Sequence, residues 1–177
     1  MTFAMTRRGV AAALSLVLIG VRPAVAQTTT PADARFADLA KRFLEQLLQS
    51  SPIRATTLGD HRFDHQLDDV SAAGRARVLA AAKALLKEAE AIPARELSRE
   101  NQVDLAILKN ALGFQIWSTE VLQDWAWDPQ IYNDLAGSAL YGLMAREFAP
   151  APVRLRAATA RMEALPQLLD QARRELQ

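Results

Sequence analysis

The sequence predicts an all-α fold, an array of antiparallel helices joined by short loops, and three observations predict it. Apolar residues recur at helical spacing in at least five stretches, serine, threonine and proline stand where helices would start or stop, and no stretch alternates with the period of a strand. The chain has 177 residues and no cysteine, so a packed core and not disulfides must hold it together.

The first 26 residues read as a signal peptide. Arg7 and Arg8 form a positive start, Gly9 to Val21 is apolar and uncharged, and Ala24-Val25-Ala26 offers the small residues a signal peptidase needs. The apolar run is shorter than the roughly 18 residues a spanning helix requires. The sequence therefore predicts a periplasmic or secreted chain cut after Ala26, with no membrane contact after cleavage. With Arg7, Arg8 and Arg22 gone, the 21 basic residues become 18 against 20 acidic ones, a net of −2. No basic stripe remains, which excludes nucleic acid as a partner class.

Residues 27–32 read as a polar linker and 33–177 as one helical domain. Thr30 can cap the first helix, with Pro31 in its first turn and Asp33 at the positive end of the dipole. Phe36, Leu39, Ala40, Phe43, Leu44, Leu47 and Leu48 mark its buried face, and Ser50-Ser51-Pro52 ends it. A helical turn is predicted from Pro52 to Leu58, closed by Gly59. Asp60 to Val70 is polar and irregular. Ser71 caps a helix running to about Ile92, and Ser98 starts another running to about Gln123.

That helix carries two apolar rows. One is Val103, Ala106, Ile107, Asn110, Phe114, Trp117 and Val121; the other is Leu105, Leu108, Leu112 and Ile116. Together they predict a central, buried helix. Trp125, Trp127, Pro129 and Tyr132 interrupt the pattern, a helix follows over about Tyr132 to Glu147, and Ala149-Pro150-Ala151-Pro152 opens the next. Pro166 either starts a sixth helix or kinks the fifth. Leu165, Leu168, Leu169, Ala172 and Leu176 keep one apolar row running toward Gln177, so the array is expected to be incomplete at its C-terminus, the alternative being a terminal helix that frays into solvent.

Candidate chemistry is sparse. His61 and His65, the only histidines, have the spacing that lets two imidazoles meet one zinc ion from adjacent helical turns. Arg62 follows the first histidine, where a metalloprotease helix needs a glutamate as proton acceptor, and a fixed cation there repels a metal. Asp64 stands where the reversed motif has glutamate, one methylene short. Gly59 and the four aspartates Asp60, Asp64, Asp68 and Asp69 favour a loop. The expectation is that Asp60, Arg62 and Asp64 cap and tie a connection, with one histidine hydrogen-bonded to it.

Trp125, Trp127 and Tyr132 form either the corner of a helical core or the floor of a ligand pocket. Arg154 and Arg161, seven apart, are expected at the surface, pairing with Glu147 and Glu163. No catalytic, cofactor-binding or metal-ligating residue is assigned in this chain.

The order of these pieces resembles a bacterial family known as domain of unknown function 885. "FLEQLLQSSPIRATTLGDHRFDHQLDDVS" is similar to its N-terminal signature, "LSRENQVDLAILKNAL" to its next helix, and "REFAPAPVRLRAATARMEALPQLLDQARREL" to its arginine-rich helix and Leu-Pro turn. The likeness covers nearly all of 33–177, with Thr56 to Asp64 its most specific part. His65 departs from the pattern, standing where an acidic residue is expected. The resemblance implies a zinc metallopeptidase-like protein whose His-Glu-x-x-His helix lies in a C-terminal half. No such motif occurs here, so zinc is implied only for full-length members. The partner implied is the missing C-terminal portion or a second copy. Two other readings compete: a stand-alone periplasmic module binding a protein or small ligand at the Trp125–Tyr132 corner, and a small metal binder using His61, Asp64 and His65.

Overall fold

A computed structural model describes residues 30–177, so the predicted signal peptide and the start of the linker lie outside the described residues. Among those described there are seven α-helices and no strand. The order is α1 (Pro31–Ser50), α2 (Pro52–Leu58), α3 (Ala72–Glu90), α4 (Arg99–Trp117), α5 (Asp124–Trp127), α6 (Gln130–Ala145) and α7 (Ala151–Glu175). The all-α prediction holds.

The helix starts follow from side-chain caps. Thr30 and Asp33 form a reciprocal capping box on α1, Ser71 accepts from the Gly74 amide at the start of α3, and Ser98 accepts from Asn101 at the start of α4. Asp33 does more than cap. Its buried carboxylate also accepts from the Ser98 amide and the Asn101 side chain, tying the first turns of α1 and α4 together. Those hydrogen bonds, Asn101 first, hold its pKa well below the usual carboxylate range.

The helices pack as two hairpins. α3 and α4 lie against each other and share a core with α1, where Phe36, Leu39, Leu85, Leu105, Leu108 and Leu112 meet. α6 and α7 form the second pair, with α2 packed on α6. Ala139, Leu143, Ala158 and Leu168 are buried on this pair.

Three expectations need correcting. α4 does not continue to Gln123 as an α-helix; a π-turn spans Ser118–Leu122, and Gln123 ends it with φ of 51°. α7 runs through Pro166 as one helix, so no sixth helix starts there. Proline removes the bond to the carbonyl four residues back, here that of Met162, on the exposed side where water can satisfy it. Third, α4 is not buried all round. Leu105, Leu108 and Leu112 are core, while Val103, Ile107, Phe114 and Trp117 are exposed, as is Val121 in the π-turn.

Candidate functional site

The polar segment after α2 is built from its turns upward. Gly59 takes φ of 91°, a left-handed conformation that closes α2 and redirects the chain. Asp60 then caps the 3₁₀ turn His61–Phe63 by accepting from the Arg62 amide. The Arg62 guanidinium forks between Asp60 and Glu45 of α1, which anchors the turn to the first helix. This is the tie the sequence predicted, extended to Glu45.

Asp64 points inward and is only 8% exposed. The Thr56 hydroxyl donates to its Oδ1 at 2.7 Å, and His61 Nδ1 lies 3.0 Å from its Oδ2. The His61 ring stacks on Phe148, with centroids 3.6 Å apart and planes 7° from parallel. His65 is exposed and its Nε2 sits 3.2 Å from the Gln66 amide nitrogen. The two histidines thus have separate partners, and Asp64 is already engaged. Among the described residues no group of three or more His, Cys, Asp or Glu could hold a metal ion.

The centre of the network is a residue expected at the surface. Arg161 of α7 has 0% exposure. Its guanidinium donates to the carbonyls of Gln66, Ala139 and Pro52 and to Thr56 Oγ1, at 2.7 to 3.1 Å. One side chain therefore links α2, the segment after it, α6 and α7. Burial pulls the guanidinium below its ordinary pKa, opposed by the charges of Asp64 and Asp68. Nothing buried is left unpaired: among the described residues, every buried side-chain nitrogen or oxygen has a hydrogen-bond partner.

Arg154, expected to pair with acids, instead donates to the carbonyls of Leu143, Met144 and Ala149, satisfying the open end of α6. The signal for both arginines was present. Arg154 and Arg161 fall in one row with Ala158, Leu165, Leu168 and Ala172, at alternating spacings of four and three. An arginine inside an apolar row is one whose donors the fold uses.

Asp68 is the network's weak member. It accepts from the Ile53 amide at 3.1 Å. Burial raises its carboxyl to about 6, with the Ile53 N–H and the Arg161 charge only partly opposing. It lines a groove of about 470 Å³ between α2 and α6, with Ile53, Ile131, Asp134 and Leu135. No histidine faces that groove.

The aromatic corner is closed on itself. The Trp125 indole donates to the Thr119 carbonyl, the Tyr132 hydroxyl donates to the Trp125 carbonyl, and the Arg75 guanidinium lies 3.6 Å over the Trp125 ring. Arg75 also pairs with Glu175, joining the end of α7 to the start of α3. Trp125 and Tyr132 are therefore structural, and only Trp127 of the three is exposed.

Fold and network together define an all-helical array whose polar signature is a joint between helices. The chain belongs to a family of bacterial proteins of unknown function, DUF885, whose sequence profile matches residues 52–177. That window opens at Pro52, whose carbonyl Arg161 holds, and takes in the whole joint. The chain is also similar to a solved structure from Shewanella oneidensis, a candidate lipoprotein of unknown function, at 31% identity and a TM-score of 0.74. The match covers 80% of this chain and 26% of that one, so the chain spans about a quarter of its relative's length. No curated protein matches. No helix among the described residues is long and apolar enough to cross a membrane.

Proposed function

We propose that this chain is the N-terminal helical segment of an exported DUF885 protein, a scaffold that carries no catalytic group of its own. One observation carries the reading. α4 exposes Val103, Ile107, Phe114 and Trp117 opposite its core face, with Val121 of the following π-turn also exposed, in a chain that accounts for only 26% of its solved relative. A helix apolar on both sides belongs to the interior of a larger array.

The joint around Arg161 supports this, because its side chains are engaged with one another and with backbone carbonyls and offer no reacting pair. The resemblance of the signature to proteins with a zinc-binding C-terminal half adds a finer reading. On it, this segment forms one wall over a cleft, and the groups that hold the ion and move protons belong to the remainder. The leading 26 residues and the lipoprotein relative support export.

The test is to purify residues 27–177 and measure hydrophobic-dye binding and light scattering. Strong dye binding without a defined oligomer is expected; a monodisperse monomer that leaves the dye dark overturns the reading. Peptide cleavage by the purified chain, lost in His61→Ala, would overturn the claim that it carries no catalytic group.

A further inference from the structure

The exposed apolar residues of α4 are not scattered. Val103, Ile107, Asn110, Phe114 and Trp117 of α4 alternate by four and three, the spacing of a seam that receives one long helix, and Val121 of the π-turn follows them. Ile107, Phe114 and Val121 are 61%, 62% and 66% exposed, so the seam has no cover within the described residues. Two features narrow what covers it.

The first is Gly113. It lies inside α4, where glycine weakens a helix relative to alanine, and a Cβ built there would meet nothing within 4 Å. No contact among the described residues explains its lack of a side chain, whereas a covering helix that comes close does. Ala106 and Ala111 are likewise small and exposed beside the seam. The second is Asn110, the single polar residue in the row. Buried under a helix it requires a polar partner, and one such position sets register.

We propose that the outer face of α4 docks a single long helix from the remainder of a DUF885 domain, pressed close at Gly113 and carrying a polar residue opposite Asn110. The occupant follows from the relative, in which about three quarters of the chain lies beyond the match. The proposal rests on the reading of this chain as part of a larger domain, and the two can fail separately.

The experiment replaces the matched quarter of the Shewanella protein with the corresponding residues of this chain. Hydroxyl-radical footprinting then compares Phe114 and Trp117 in the chimera and in the isolated chain, with Trp127 as the exposed reference. Roughly tenfold slower oxidation of Phe114 and Trp117 in the chimera is expected, reversed at Trp117 by Ile107→Asp. Asn110→Leu is expected to lower the chimera's melting temperature and leave the isolated chain unmoved; a rise in the chimera overturns the polar register. A chimera that unfolds cooperatively with Phe114 and Trp117 still fully reactive overturns the seam and leaves the scaffold reading standing. A chimera that aggregates where the Shewanella parent folds overturns both. An isolated chain that is a dimer, made monomeric by Phe114→Asp, assigns the seam to a second copy and overturns the proposal.

Discussion

The joint around Arg161 and the outer face of α4 invert the usual distribution of polarity. At the joint, an arginine and an aspartate are buried with every buried side-chain nitrogen and oxygen in a hydrogen bond. On α4, an isoleucine, a phenylalanine and a tryptophan stand in water. A buried charge is tolerated only where partners replace its hydration, so its presence marks a finished part of the structure. An exposed apolar row gains stability only from a neighbour, so it marks an unfinished part. The difference teaches which half of this chain's surface is self-sufficient.

The largest effect should come from breaking the joint. Arg161→Ala leaves the carbonyls of Pro52, Gln66 and Ala139 and the Thr56 hydroxyl without their common donor, and removes the positive charge near Asp64. A loss of about 3–5 kcal/mol is expected in urea unfolding, enough to unfold a marginal domain. Arg161→Lys should recover only part, because an ammonium cannot reproduce a planar fork reaching several acceptors. Thr56→Val keeps the shape of the side chain and removes its hydroxyl from between Arg161 and Asp64. About 1–3 kcal/mol is expected there. If neither change moves the unfolding midpoint, the joint is ornamental and the contrast with α4 collapses.

Much of this contrast was legible in the sequence, and the exceptions have physical causes. Caps at Thr30, Ser71 and Ser98 and the left-handed Gly59 placed the helix ends, because those signals are local. The tie between Asp60, Arg62 and Asp64 was legible for the same reason. Arg161 was not, since charge suggests surface, and its four acceptors are 22 to 109 residues away along the chain. Its place in an apolar row was the available clue. The exposure of α4 departs from its sequence pattern in the opposite way. An all-round apolar helix predicts burial, and nothing in the sequence pattern tells which of its two rows the described residues leave exposed.

A smaller effect separates the strong and weak members of the joint. Asp68 has a folded-state value of about 6 against an ordinary 3.8, so the folded chain holds its proton more tightly than the unfolded one. Stability attributable to this group is therefore full below about pH 4 and declines as pH rises to about 6. Asp68→Asn keeps an oxygen to accept from the Ile53 amide and removes the charge. It should raise stability at pH 7 by about 1–2 kcal/mol, with no gain at pH 4. Chemical unfolding at the two pH values measures it. A loss at pH 7 would mean that Arg161 needs the Asp68 charge, and the joint would then have two indispensable carboxylates instead of one.

The smallest effect on stability should come from the other region, and its smallness is informative. Phe114 is exposed in the isolated chain, so Phe114→Ser removes few native contacts. A change within about 0.5 kcal/mol is expected in chemical unfolding. Dye binding by the same variant should fall, because the aromatic centre of the exposed row is gone. A residue that contributes little to its own fold and much to apolar exposure is one retained for a contact the isolated segment does not make. If Phe114→Ser instead destabilised the chain as a core substitution does, by about 3–5 kcal/mol, the outer face of α4 would already be covered within the segment, and the two regions would not differ in kind.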